Sequence, residues 1–237
     1  MKTIGLLGGM SWESTELYYR LINEGIKAKL GGLHSARIAM VSVDFQEIEE
    51  MQHNGDWDSA GRTLALAARQ VEAAGADFLL ICTNTMHKVA PQIQEAITIP
   101  LLHLADATAK RIQTAGVKTV GLLGTNFTME HDFYKGRLVE KFGLNVLVPP
   151  KSDRDIIHHT IYDELCLGVV KDASRDAYLR IMADLQSRGA EGIIEGCTEI
   201  VMLVQQHHTA IPLYDTTSIH AEEAVMEAIQ GDCHPLF

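Results

Sequence analysis

The stretch 2-KTIGLLG-8 recurs almost unchanged as 118-KTVGLLG-124. Each copy reads as a short apolar strand that runs into a glycine turn. Two further pairs of segments keep the same order and nearly the same spacing: 82-CTNT-85 with 197-CTEI-200, and 99-IPL-101 with 211-IPL-213. Three ordered matches at strand ends predict a duplicated chain made of two similar α/β halves.

Apolar runs alternate with amphipathic segments along the whole chain. Strands are predicted at residues 3–7, 38–44, 77–82, 100–104, 118–124, 144–149, 191–196 and 211–215. Helices are predicted at 14–30, 59–75, 105–115, 129–142, 155–168, 172–188, 198–206 and 218–230. This alternation is typical of a mostly parallel sheet flanked by helices. We expect an N-terminal half at 1–116, onto which the C-terminal helix can pack back, a second half at 117–230, and a tail at 231–237.

Composition narrows the class of protein. The chain has 237 residues, of which 46% are hydrophobic and 22% charged, as in an ordinary globular protein. A net charge of −11 argues against a nucleic acid or an anionic membrane as partner. The four cysteines are scattered, without a C-x-x-C pair, and the N-terminus lacks a signal-peptide pattern. We therefore expect a cytoplasmic protein.

The loops after the strands are the expected place for chemistry, because ligands bind beyond the carboxyl ends of parallel strands. Each half offers a glycine-rich turn, 8-GGMS-11 or 124-GTNFT-128, and a polar elbow, 83-TNT-85 or 197-CTE-199. These four loops are expected to surround a small ligand in a cleft between the halves. No lysine accompanies the first turn, which favours a carboxylate over a phosphate there. No histidine spacing typical of a metal site lies on a predicted helix.

Cys197 stands between Gly196 and Thr198, where a strand is expected to give way to a helix. The helix N-terminus is expected to lower the pKa of this thiol toward neutrality, as in a catalytic thiolate. The alternative is a small buried core residue. His87 and His220 also follow strand-end loops, where they either line the cleft or bond the local backbone. A small-ligand binding protein would have the same doubled architecture but no use for a thiol at a helix start.

Four motifs together resemble the aspartate/glutamate racemase family: 6-LLGGMSWEST-15, 83-TNTMH-87, 123-LGTNFT-128 and 196-GCTE-199. The similarity runs from Lys2 to about Ile229. It implies a fold of two pseudo-symmetric α/β domains with the active site between them. It also implies a cofactor-independent amino-acid racemase that acts on a small-molecule amino acid and is usually a homodimer.

In that family two cysteines flank the substrate Cα, one removing the proton and the other returning it on the opposite face. The second cysteine corresponds to Cys197, whereas the first corresponds to Thr83. Cys82 is one residue early, on the opposite side of its strand unless the strand end bulges. Because an unactivated hydroxyl is a poor base, we expect Cys197 to be the main base, with Thr83 opposite and the L form favoured. A single-cysteine decarboxylase or isomerase of the superfamily, of the arylmalonate decarboxylase or maleate isomerase type, is the alternative.

The resemblance also implies the substrate-binding residues. Backbone N–H and hydroxyl groups are expected to hold the α-carboxylate at Met10, Ser11, Asn84 and Thr85 in the first half and at Thr125, Thr128 and Thr198 in the second. Glu199 either meets the substrate ammonium or favours a helix dipole from the first turn. The segment 43-VDFQEIEE-50 reads as an acidic loop without arginine, in which Gln46 can bond a neutral polar side chain. A broad range that includes homoserine or glutamate is therefore expected, rather than strict aspartate specificity.

Overall fold

A computed structural model describes residues 1–230, so the predicted tail and its Cys233 lie outside the described part. The strands are β1 (Ile4–Gly8), β2 (Ile38–Ser42), β3 (Phe78–Ile81), β4 (Thr119–Gly124), β5 (Asn145–Leu147), β6 (Gly192–Gly196) and β7 (Leu213–Asp215). The helices are α1 (Trp12–Leu30), α2 (Phe45–His53), α3 (Trp57–Ala73), α4 (Ala90–Ala96), α5 (Leu104–Thr114), α6 (Asn126–Glu130), α7 (Asp132–Phe142), α8 (Lys151–Asp163), α9 (Asp172–Ser187), α10 (Ile200–Leu203) and α11 (Thr216–Ile229). Short 3-10 turns lie at Thr85–Val89, Leu165–Leu167 and Gln206–His208.

The seven strands form two sheets in which all neighbours are parallel. The first has the order β2-β1-β3 and the second the order β5-β4-β6-β7. The two copies of the duplicated stretch, β1 and β4, therefore occupy equivalent places between their neighbours. Strands buried on both faces need nearly continuous apolar runs, which is what both copies supply. The predicted fold class of two parallel-sheet α/β halves flanked by helices is confirmed.

The described chain divides into two compact units. One consists of residues 1–104 together with 220–230, and the other is Ala105–Ile219. The division falls at the start of α5 and within the first turns of α11, whereas the boundary predicted at 116 lies beyond the end of α5. Most of α11 belongs to the first unit.

The first sheet buries a different cluster on each face. Alternate residues of β1 and β3 point to opposite sides, because the side-chain period of a strand is two. One side packs against α3 and α4 through residues such as Leu64, Val71 and Ile93. The other packs against α1 and α11 through residues such as Tyr18, Ile22, Ala224 and Ala228.

Several predicted elements differ from the structure, and three of the differences are large. The strand expected at 100–104 is reduced to one bridge between Leu79 and Leu101, because α5 begins at Leu104. The acidic segment 43–50 was predicted as a loop, and this is wrong: it forms α2, where the Asp44 side chain caps the helix by accepting from the N–H of Gln46. The helix expected at 198–206 is only the four-residue α10. Among residues 1–230, no helix has the length and apolar character to cross a membrane.

Candidate functional site

The first glycine turn follows β1 and leads into α1. Gly9 has a positive φ of 94°, and a Cβ there would lie 2.2 Å from the carbonyl oxygen of Val43, so only glycine fits. The Gly9 N–H donates to the hydroxyl of Thr15 at 2.8 Å. Ser11 caps α1 by accepting from the N–H of Ser14, and Met10 beside it is buried. The turn therefore ends at the N-terminus of a 19-residue helix, which favours an anion.

The polar elbow follows β3, the parallel neighbour of β1. The N–H of Cys82 donates to the carbonyl of Leu7 at 2.9 Å, so the elbow starts beside the end of β1. Thr83 is partly exposed, Asn84 is buried, and Thr85 is the first residue of the 3-10 turn. The predicted residues of the first turn and elbow therefore lie beyond the carboxyl ends of two neighbouring strands, β1 and β3.

The side chain of Cys82 lies in the core and not among these loop residues. Its side chain is 0% exposed and belongs to the core cluster with Tyr18, Ile22 and Ala221 from α1 and α11. Burial raises the pKa of the thiol far above its ordinary value. The alternative in which a strand bulge turns Cys82 toward the ligand is therefore wrong.

Gln46 lies on the exposed surface of α2, after β2. Its side-chain amide donates to the Glu50 carboxylate at 2.9 Å, one helical turn away. Because α2 contains no lysine or arginine, this segment supplies no strong partner for a second substrate carboxylate.

The second glycine turn follows β4 in the other unit. Thr125 caps α6 by accepting from the Thr128 N–H at 3.4 Å, and the two hydroxyl oxygens lie 3.3 Å apart. Both side chains are buried. Gly124 is the registered neighbour of Gly196, so this turn lies beside the end of β6. The predicted residues of the second unit therefore also lie beyond the carboxyl ends of two neighbouring strands, β4 and β6.

Cys197 directly follows β6 and is partly exposed. Its sulfur donates to Oε2 of Glu199 at 2.8 Å, and the Thr198 hydroxyl donates to the same oxygen at 2.8 Å. The carboxylate is thus placed to accept the thiol proton. Glu199 also stands directly before α10, as the helix-start role predicted for it requires, and its role toward a substrate ammonium stays a prediction.

The predicted lowering of the Cys197 pKa is wrong. Although Cys197 as a whole is partly exposed, burial of its sulfur, the negative charge of Glu199 and the hydrogen bond to that carboxylate raise the pKa of the thiol well above its ordinary value. Helix α10 begins only at Ile200 and has four residues, so it provides little dipole to oppose these effects. The resting site therefore holds a protonated thiol beside a proton acceptor.

Glu195, two residues before Cys197, is a site feature that the sequence analysis missed. It is 3% exposed, and its Oε1 atom has no hydrogen-bond partner among residues 1–230. Burial and the nearby charge of Asp215 raise the pKa of this carboxyl to about 8. Its backbone carbonyl accepts from the hydroxyl of Thr216 at 2.9 Å. The signal was a single charge inside the apolar strand 192-GIIEG-196.

The two singled-out histidines are buried and bond nearby backbone groups. A ring nitrogen of His87 lies 2.8 Å from the carbonyl oxygen of Thr83, and one of His220 lies 2.8 Å from that of Leu102. In the part of the chain that the structure describes, no group of three or more His, Cys, Asp or Glu side chains is placed to hold a metal ion.

Comparisons with known proteins agree on one family. The Asp/Glu/Hydantoin racemase family model matches residues 7–224. A candidate Asp/Glu racemase from Yersinia pestis is 53% identical, with a TM-score of 0.93 over 97% of this chain and 100% of that one. An aspartate racemase homologue from Pyrococcus horikoshii OT3 is 32% identical, with a TM-score of 0.85 over 96% and 99% of the two chains.

A more distant relative has a named activity. The broad specificity amino-acid racemase RacX of Bacillus subtilis (strain 168) is 24% identical over 177 residues, which cover 72% of this chain and 73% of the relative. The match to the family model, at residues 7–224, contains both glycine turns and both elbows. From the family match and these likenesses we conclude that the chain belongs to the Asp/Glu/hydantoin racemase family and is an amino-acid racemase.

Proposed function

We propose that the chain racemises a small polar or acidic amino acid without a cofactor, and that Cys197 removes the Cα proton. The observation that carries this proposal is the contact between the Cys197 thiol and the Glu199 carboxylate at the end of β6. A buried, unassisted thiol is a poor base, whereas a thiol bonded to a carboxylate has an acceptor for its proton.

The proton movements follow from that contact. Glu199 takes the thiol proton, which leaves a thiolate on Cys197. The thiolate then takes the Cα proton and becomes a thiol again, while the substrate becomes a carbanion. The proposal keeps Thr83 on the opposite face, where its hydroxyl hands a proton to Cα or orients a water that does so. Glu199 then gives its proton to solvent, and Thr83, or the water that it orients, takes a proton back from solvent, which restores the resting state.

The carbanion needs stabilisation at the substrate carboxylate, where negative charge develops. The turn that ends in Met10 and Ser11 lies at the N-terminus of α1, whose N–H groups suit that charge. The proposal assigns the same role to Asn84 and Thr85 in the first unit and to Thr125, Thr128 and Thr198 in the second. Thr128 acts through Thr125, because its buried hydroxyl lies against that of Thr125.

A broad substrate range is proposed, with homoserine and glutamate among the candidates. Two observations support it: α2 carries no lysine or arginine, and Gln46 within that helix is exposed. The activity that the name of RacX gives to that relative points the same way. The proposal also keeps the cytoplasmic location, which rests on the scattered cysteines, and the homodimer, which rests on the family resemblance.

The test is exchange of the Cα proton in D₂O, followed by NMR, for L and D forms of aspartate, glutamate, homoserine and several neutral amino acids. We expect at least one polar amino acid to exchange, with the L form faster than the D form, because the two faces meet different groups. Thr83→Cys in the same assay should bring the two rates closer together. If no amino acid exchanges while Cys197 still reacts with iodoacetamide, the racemase proposal fails and a single-thiol decarboxylase or isomerase takes its place.

Glu199→Gln gives a test of the proton acceptor with two opposite expected results. Loss of the carboxylate removes a cause of the raised pKa of Cys197, so iodoacetamide should alkylate Cys197 faster at pH 8. Loss of the acceptor should nevertheless slow Cα exchange by about a hundredfold. Peptide mass spectrometry measures the first rate and NMR the second. A raised KM with an unchanged kcat would instead assign Glu199 to the substrate ammonium.

A further inference from the structure

The histidine that ends the first elbow bridges two backbone segments of the first unit. Nδ1 of His87 lies 2.8 Å from the carbonyl oxygen of Thr83, and Nε2 accepts from the N–H of Leu104 at 3.3 Å. A carbonyl only accepts and a backbone N–H only donates, so the tautomer is determined: Nδ1 carries the proton and Nε2 does not. Both ring nitrogens are used, and the side chain is 2% exposed.

The far end of this bridge is itself held in place. Leu104 is the first residue of α5, and Leu102, two residues earlier, accepts from Nε2 of His220 at 2.8 Å. Nδ1 of His220 accepts in turn from the Tyr18 hydroxyl at 2.8 Å. Leu102 also donates its N–H to the carbonyl of Leu79 in β3. Segment 102–104 is therefore a fixed anchor for the His87 ring.

Thr83 depends on this anchor more than its neighbours do. It follows the last paired residues of β3, so no sheet ladder holds its carbonyl. Its side chain is partly exposed, whereas Cys82 and Asn84 on either side are buried. We propose that His87 is a positioning residue, which fixes the Thr83 carbonyl and thereby orients the Thr83 side chain for proton return. This inference rests on the proposed function.

Two conservative substitutions separate the two ends of the ring. The amide nitrogen of asparagine falls at the place of Nδ1, so His87→Asn keeps a donor to the Thr83 carbonyl and loses the acceptor for Leu104. The amide oxygen of glutamine falls at the place of Nε2, so His87→Gln keeps the acceptor for Leu104 and loses the donor to Thr83. Each variant removes one buried hydrogen bond, which makes each the matched control of the other.

For the substrate that wild type exchanges best, His87→Gln should lower kcat about tenfold, with KM changed less than about twofold. His87→Asn should keep kcat within about threefold of wild type, because the bond to Thr83 remains. Urea unfolding should show that the two substitutions lower the free energy of unfolding by similar amounts. A merely structural role would lower both activities in step with stability, and that result, or equal activity of the two variants, would overturn the inference.

A second readout does not depend on racemase activity. In a Thr83→Cys background, the introduced thiol reports on the elbow through its rate of alkylation by iodoacetamide, which peptide mass spectrometry assigns to that position. His87→Gln should raise this rate about threefold or more, whereas His87→Asn should leave it close to the background value. Equal rates in the two variants would contradict the inference even if wild type exchanged no amino acid, so failure of the positioning role and failure of the proposed function remain distinguishable.

Discussion

Cys197→Ala is expected to lower Cα proton exchange by about a thousandfold or more for both enantiomers. In one direction the thiolate removes the proton, and in the other the thiol must return it, so both directions need the sulfur. Serine is expected to do no better than alanine, since a hydroxyl beside Glu199 stays protonated and is a much weaker base than a thiolate near neutral pH. NMR in D₂O measures the exchange, and optical rotation or chiral chromatography measures net racemisation.

The control is Cys166→Ala, which removes an exposed cysteine of the same unit whose charge is one of the lesser causes of the raised pKa of Cys197. It should keep the exchange rate within about threefold of wild type. Urea unfolding should show that Cys197→Ala remains folded, because Cys197 is partly exposed at a strand end and little packing is lost. Full activity in folded Cys197→Ala would remove Cys197 from the mechanism and shift the base to another residue.

The sheets and the positions of the strand-end loops were predictable because strong patterns specify both. Each duplicated stretch is apolar after its first two residues, a pattern typical of a strand that lies between two parallel neighbours. The elbows at Thr83 and Cys197 follow apolar runs that end in a polar turn, so their place at the carboxyl ends of β3 and β6 follows from the sequence. These features depend on local pattern and on the direction of the strands.

The features that could not be predicted from the sequence depend on the distances between side chains in the folded protein or on weak local patterns. Helix α2 begins at an Asp44 cap, but its buried positions are only Ile48 and Gln52, too few for a clear helical period. The pKa of Cys197 depends on a carboxylate two residues away and on how deeply the fold buries the sulfur. The burial of a side chain and the direction in which it points cannot be determined from the spacing of residues in the sequence. For Cys197, burial and the nearby carboxylate raise the pKa, whereas a helix dipole would lower it.

Glu195 makes the stability of the fold depend on pH in a direction opposite to that of most carboxylates. Its pKa is about 8 in the folded protein, whereas the ordinary value of 4.5 applies to the unfolded chain. The folded state therefore binds the proton more tightly than the unfolded state does. Stability is therefore fully present below pH 4.5, falls as the pH rises toward 8, and changes no further above that. The loss is on the order of 5 kcal/mol, because a tenfold change in proton affinity is worth about 1.4 kcal/mol.

Glu195→Gln should remove most of that loss, because an amide has the shape of the protonated carboxyl but carries no charge at any pH. Urea unfolding from pH 5 to pH 9, with a reductant present, measures the free energy of unfolding of both proteins. Wild type should lose stability across this range, and the variant should be more stable than wild type at pH 9 and close to it at pH 5. Glu95→Gln on the exposed surface of α4 is the matched control and should follow the wild-type curve. Parallel curves for Glu195→Gln and wild type would mean that Glu195 is already ionised in the folded protein at neutral pH. A water molecule or a cation beside the Glu195 carboxylate would then offset its burial and the repulsion from Asp215.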